Sequence, residues 1–156
     1  MKALNLPSCE LKIREHGAKT EVFDIIRKKF IVLTKEEWVR QHFIHYLVQH
    51  RQVPPTLIVV ESSLKFNRLN KRSDIVIYNT KGKPCMIVEC KAPEVPVSQD
   101  VFDQAAMYNI TLKVPYLVIT NGMEHYACRI DHEKKSFAFL KECPSFNELN
   151  DNQYSI

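Results

Sequence analysis

Hydrophobic and polar positions change period several times along this chain of 156 residues, and each change marks a predicted element. Leu11-Lys12-Ile13-Arg14 alternates as a half-buried strand does, His16-Gly17-Ala18 turns the chain, and Glu21 to Ile26 runs back. A further short strand is predicted over 29–33. Thr34 followed three residues later by Glu37 matches a capping box, so a helix starts there. Val39, Phe43, Tyr46 and Leu47 give it one apolar stripe, ending near His50. Pro54-Pro55 breaks the chain, and Leu57 to Val60 is strand, closed by Glu61.

Two apolar runs then flank a Gly-containing turn at 79–83, which predicts a β-hairpin: Asp74-Ile75-Val76-Ile77-Tyr78 and Met86-Ile87-Val88-Glu89-Cys90-Lys91. Ala92-Pro93 ends the second strand. Ser98 caps a helix through about Lys113, with Asp100 in its favourable first turn. Pro115 stops it, and Tyr116 to Thr120 reads as a short buried strand. Asn121-Gly122 is a strong hairpin turn, His125 to Ile130 returns, and Phe137-Ala138-Phe139 is a last strand. Ser145 and Glu148 suggest a small helix, and the residues from Asn150 onward look loose. The predicted order of helix, three strands, helix, strand describes an α/β sandwich around a mixed sheet, preceded by an extra N-terminal β-hairpin. One domain over 1–156 is expected, with N-terminal strands over 1–33, a core over 34–142 and a tail over 143–156.

Candidate chemistry gathers on the predicted hairpin. Side chains alternate along a strand, so Glu89 and Lys91 leave one face while Cys90 leaves the other. Asp74 opens the first run and Glu89 closes the second, so antiparallel pairing brings both carboxylates to one end beside the Lys91 ammonium. Charges at the end of a hydrophobic strand cost stability unless they are paired or bind a metal. The plain alternative is two exposed acids and a surface lysine. Ahead of Asp74 stand Lys65, Arg68, Lys71 and Arg72, which read as a basic loop able to hold a polyanion at the carboxylates. Arg27, Lys28 and Lys29 form a second basic group, equally consistent with a solvated strand face.

Composition adds limits. Hydrophobic residues make up 45% and charged ones 26%, an ordinary globular balance with enough apolar material for a full core. A net charge of +4 permits nucleic-acid binding without demanding it. No apolar stretch approaches transmembrane length, and the N-terminus lacks the apolar region of a signal peptide. The 5 cysteines contain no CxxC pair, which fits free thiols in a reducing cytoplasm. Gly17, Gly82 and Gly122 are isolated turn residues, so no phosphate loop is present. No G-x-S-x-G element supports a serine hydrolase, and His42 and His45 lack a third ligand partner in view.

The spacing of Asp74 with Glu89-Cys90-Lys91 resembles the PD-(D/E)xK nuclease superfamily, with Ser73 standing where the signature has proline. Gln104 and Tyr108, one helical turn apart, resemble the QxxxY element of its RecB-like branch. In order, Glu37-Trp38-Val39-Arg40-Gln41, Arg72-Ser73-Asp74-Ile75-Val76, Val88 to Pro93, Asp103-Gln104 with Tyr108-Asn109, and Thr120-Asn121-Gly122 resemble the N-terminal nuclease domain of type I restriction enzyme R subunits, in stand-alone form.

The resemblance implies a restriction-endonuclease-like fold and Mg²⁺-dependent hydrolysis of DNA phosphodiesters, with Mn²⁺ able to substitute. Asp74, Glu89 and Lys91 would be catalytic. The metal would sit on Asp74, Glu89 and the Cys90 carbonyl, with an acidic residue of the first helix, Glu37 or Glu36, assisting. Glu37 equally serves as the capping-box residue, and Glu61 is a further acidic candidate. Gln104 and Tyr108 would face the same cleft as Lys91 and position it or the nucleic acid. Implied partners are DNA and helicase, motor or methyltransferase subunits, with no membrane; a homodimer is compatible. Motor motifs are absent from this chain. Two other readings stand beside this one: a non-catalytic or partner-dependent nucleic-acid-binding module of a restriction complex, and a DNA repair or recombination nuclease.

Overall fold

The computed structural model describes residues 1–66 and 69–151, excluding the side chains at 62–73, 108 and 111. A six-stranded sheet forms its centre. β4 (Ile58–Phe66), β5 (Leu69–Tyr78), β6 (Pro84–Cys90), β7 (Tyr116–Thr120), β8 (His125–Asp131) and β9 (Ser136–Leu140) lie side by side in chain order. Every neighbouring pair is antiparallel except β6 and β7, which makes the sheet mixed. A parallel pair needs a crossover, and α2 (Gln99–Leu112) supplies it between those two strands.

Each face of the sheet buries its own apolar cluster. On one face Val39, Phe43, Ile44 and Leu47 of α1 (Lys35–His50) pack against Ile75, Ile77, Met86, Val88 and Cys90. On the other, Phe102, Ala105 and Ala106 of α2 meet Val76, Ile87, Leu117 and Ile119. Odd and even positions of β5 and β6 therefore serve opposite layers, which is why these strands read as continuous apolar runs. Both helices start where their caps lie: Thr34 Oγ1 accepts the Glu37 N–H at 3.0 Å, and Ser98 accepts the Val101 N–H. A short α3 (Phe146–Asn150) follows the last strand. The architecture is the expected α/β sandwich of restriction-endonuclease-like type.

The N-terminal strands form a sheet of their own, and one expectation further along the chain needs correction. The hairpin and the further strand expected over 29–33 make a three-stranded antiparallel sheet of β1 (Ile13–His16), β2 (Lys19–Asp24) and β3 (Lys29–Val32). The third strand is held by pairs such as Val22↔Ile31 and Phe23↔Phe30, the latter also an edge-to-face ring contact. The supposed basic loop is a paired arm of β4 and β5, with Ser63 opposite Arg72, Leu64 opposite Lys71 and Lys65 opposite Asn70. Leu64, Phe66 and Leu69 alternate with charged or polar residues there, and the charge density hid that period. Arg68 lies outside the described residues, as do the side chains of Lys65, Lys71 and Arg72.

Candidate active site

The β5–β6 ladder is where the acidic residues converge. Its last pair toward their end is Ile75↔Val88, and Asp74 and Glu89 are the next residues along each strand. Beyond that pair, the Asp74 side chain takes over from backbone: its Oδ2 accepts the Cys90 N–H at 2.8 Å. Cys90 turns into the α1-side core with Val88, so Glu89, one residue earlier, belongs to the α2 side and is 9% exposed. Lys91 follows the end of β6, and its N–H donates to Thr120 O at 2.8 Å, tying it to β7. Asn121 then holds the following loop by donating from Nδ2 to Val95 O.

From the other layer, α1 sends charge into the same strand end. Arg40, 4% exposed, donates from Nη2 to Asp74 Oδ1 at 2.9 Å and to Glu36 Oε1 at 3.0 Å. Its Nη1 pairs with Glu37 and lies 3.7 Å from Glu61. Burial alone would make this guanidinium easier to deprotonate, but the Glu37 and Asp74 charges outweigh it and hold the proton more tightly. Burial, then the Asp74 charge, pushes the Glu36 carboxyl up, with Arg40 and Lys91 opposing. The Lys91 charge thus acts on Glu36.

A second guanidinium enters from the turn after β2. Arg27 donates to Asp24 Oδ2 at 2.7 Å, Glu37 Oε1 at 3.0 Å and Glu61 Oε2 at 2.9 Å. Asp24, fully buried, also accepts the N–H groups of Ile26 and Arg27 and the Gln41 amide. Burial would raise its carboxyl pKa, but these hydrogen bonds outweigh burial and hold it below the usual range. Glu61 reaches the cluster from β4 with φ +54°, a left-handed conformation uncommon for a residue with a side chain. Such strain persists where surrounding contacts over-determine it, and here the two arginines supply them.

Sequence reasoning placed Asp74, Glu89, the Cys90 backbone and Lys91 at one strand end, and the structure brings them there. It treated Arg27 as equally consistent with solvent exposure, whereas Arg27 is bonded to three carboxylates. Arg40, Asp24 and Gln41 it gave no role. The missed signal was periodic: Glu37, Arg40, Gln41 and Ile44 stand at i, i+3, i+4 and i+7 on the buried side of α1. Glu37 meets the cap through its backbone N–H, while its carboxylate serves Arg27, Arg40 and Gln41. Gln104 is exposed on α2, no described contact joins it to Lys91 or Asp74, and the Tyr108 side chain lies outside the described residues.

Comparison with known proteins places this arrangement. Residues 35–144, from the start of α1 to just past the last strand, match the family model described as type I restriction enzyme R protein N terminus. The chain belongs to that family. The matched stretch holds Glu36, Glu37, Arg40, Glu61, Asp74, Glu89 and Lys91, while Asp24 and Arg27 lie ahead of it. Among solved structures, a fragment of a protein assigned as an HsdR subunit of a type I restriction enzyme from Vibrio vulnificus YJ016 superposes with a TM-score of 0.53 at 23% identity. The likeness covers 75% of this chain and 24% of that one, so this chain spans about a quarter of its relative, and at that identity the likeness concerns the fold. No curated protein matches the sequence.

The site can be tested for a metal on its own donors. Among the described residues, no group of three or more His, Cys, Asp or Glu side chains forms a metal cage. Mg²⁺ does not need one, because it keeps several waters and is often held by one or two carboxylates. Among the described residues, Asp24, Glu36, Glu37, Glu61 and Asp74 pair with Arg27 and Arg40, and the Lys91 charge acts on Glu36, so five carboxylates gather around the strand end. Hard oxygen donors in a partly buried setting fit a divalent cation. Among the described residues, no helix is long and apolar enough to cross a membrane.

Proposed function

We propose that this chain is a metal-dependent endonuclease domain that hydrolyses DNA phosphodiesters in a restriction or defence system. The observation that carries this reading is the end of the β5–β6 ladder, where Asp74 and Glu89 follow the last pair and Lys91 comes next. Family membership supports DNA as the substrate and restriction subunits, including a motor or methyltransferase, as partners in the cytoplasm. Asp74, Glu89 and the Cys90 carbonyl would hold Mg²⁺ or Mn²⁺. When bound, such an ion supplies a more acidic water and neutralises charge on the phosphate. Lys91 orients the attacking water or meets the developing charge, a contribution commonly worth about 3–4 kcal/mol for a preorganised donor. Glu37 acts at one remove by anchoring both arginines, and Gln104 with Tyr108 positions Lys91 or the nucleic acid.

The test is nicking of supercoiled and linear DNA with Mg²⁺ or Mn²⁺, comparing the unmodified chain with Asp74→Ala and Lys91→Ala. Both variants should lose cleavage, and Lys91→Ala should keep most DNA affinity, since one lysine is a small share of phosphate contacts. Cleavage by Lys91→Ala at the unmodified rate would remove that residue from the mechanism. A second reading, a binding module whose activity depends on a partner, is favoured by one observation: both Asp74 oxygens already accept hydrogen bonds, from Arg40 and Cys90. DNA binding without cleavage by the isolated chain, restored by a motor subunit, would select it.

A further inference from the structure

We propose that Arg40 is the resident counter-cation of Asp74 and gates the metal: a divalent ion binds by displacing its guanidinium from Asp74 onto Glu36, Glu37 and Glu61. The inference rests on the metal-dependent reading above and assigns a positioning role to a residue of α1. Asp74 accepts from that helix, and the Arg40 Nη2 contact at 2.9 Å puts positive charge where a cation using Oδ1 would put its own. Cys90 N–H holds Oδ2 from the sheet. The carboxylate is thus fixed in position before any metal arrives, with one oxygen held by backbone and the other by a group that can leave.

Three features make Arg40 able to leave while Arg27 stays. First, Arg40 has other anions within reach: Glu36 at 3.0 Å, Glu37 in direct contact and Glu61 at 3.7 Å. A move away from Asp74 therefore never strands a buried charge. Second, Arg40 Nε is buried and finds no hydrogen-bond partner among the described residues, so the present arrangement leaves a donor unsatisfied. Third, Glu36 and Glu61 retain 47% and 29% of their side-chain exposure, which gives the guanidinium room on the open side of the cluster. Arg27 has its Nε and both terminal nitrogens on three different carboxylates, and nothing in its surroundings invites a second position.

If two cations compete for one carboxylate, the coupling is reciprocal: removing Arg40 tightens metal binding, and metal loosens Arg40. Mn²⁺ affinity would be measured by titration calorimetry on the full chain, Arg40→Gln, Arg40→Lys and Asp74→Asn. Arg40→Gln should bind roughly tenfold more tightly or better, within the usual range of such couplings. Arg40→Lys, which keeps the charge but loses the fork, should fall between. Asp74→Asn should lose the site. Should Arg40→Gln fail to fold, the Arg40 Nε–H resonance of the unmodified chain decides during Mg²⁺ titration. A shift that follows the Cys90 amide supports the gate, and a fixed Arg40 signal beside a moving Cys90 amide overturns it. Unchanged or weaker Mn²⁺ binding by a folded Arg40→Gln, with the unmodified chain binding normally, overturns the gate and leaves the nuclease reading standing. Binding by Arg40→Gln alone supports the gate, and binding by neither overturns both.

Discussion

Asp24→Ala should be among the most destabilising single substitutions outside the apolar core. The carboxylate accepts four hydrogen bonds: Ile26 N–H at 2.7 Å, Arg27 N–H at 2.8 Å, Arg27 Nε at 2.7 Å and Gln41 Nε2 at 2.9 Å. Breaking a buried ion pair by removing one partner typically costs about 3–5 kcal/mol. Arg27 keeps Glu37 and Glu61, and Gln41 keeps Glu37, so the lower end, about 3 kcal/mol, is expected. For a chain of this size that is roughly 6–12 °C of Tm. Asp24→Asn should cost less, because its amide oxygen can still accept the two turn N–H groups, each worth about 1 kcal/mol.

The carboxyl of Asp24 is held below its ordinary value, so it stabilises the fold above the unfolded pKa near 3.8. That contribution is lost as pH falls through the folded value. The stability gap between the unmodified chain and Asp24→Asn, from urea denaturation, should be full at pH 7 and narrow only below about pH 4. A cost for Asp24→Ala under about 1 kcal/mol would refute the ion-pair argument, as would a gap that does not change with acid.

Two further outcomes are expected. Neutralising Lys65, Arg68 and Lys71 together should flatten the salt dependence of DNA binding by about 2–3 in log–log slope if all three meet phosphate; an unchanged slope would return the β4–β5 arm to a solvated role. Gln104→Ala and Tyr108→Phe should each lower turnover with little loss of folding stability, measured by nicking rate against thermal midpoint, and silence of both would make that helix face purely structural.

Much of the layout was legible because each layer has its own period. The caps at Thr34 and Ser98, the proline stop at Pro115 and the Asn121-Gly122 turn fixed the element boundaries through local chemistry, which a sequence states directly. The Asp74 and Glu89-x-Lys91 end was legible because hairpin register is set by its turn. What could not be read was the partner of each charge. Arg27 and Glu37 are ten residues apart, Arg27 and Glu61 thirty-four, and no periodicity links them. Only the packing of the N-terminal sheet beside α1 and β4 brings them together. The arm beyond Glu61 was misread for a related reason, since its apolar Leu64, Phe66 and Leu69 are interspersed with charged and polar residues and lack the continuous apolar run used to recognise its neighbours.

That packing changes how the N-terminal strands should be regarded. A division at residues 33 and 34 separates them from the core by sequence, yet three hydrogen bonds of the cluster cross it, between Asp24 and Gln41 and from Arg27 to Glu37 and Glu61. Without Arg27, Glu37 would keep Arg40 and Gln41 and Glu61 would keep its contact with Arg40, and Arg40 would be drawn more fully toward them. On the competition argued above, Asp74 would then lose part of its counter-charge, and its affinity for a divalent ion would rise as its positioning loosened. Asp24 is therefore tied to the Asp74 end of the sheet through Arg27, Glu37 and Arg40 in turn. Through Arg27, the β1–β3 sheet contributes a cation to the cluster that reaches Asp74 by way of Glu37 and Arg40, and in that sense it is part of the site.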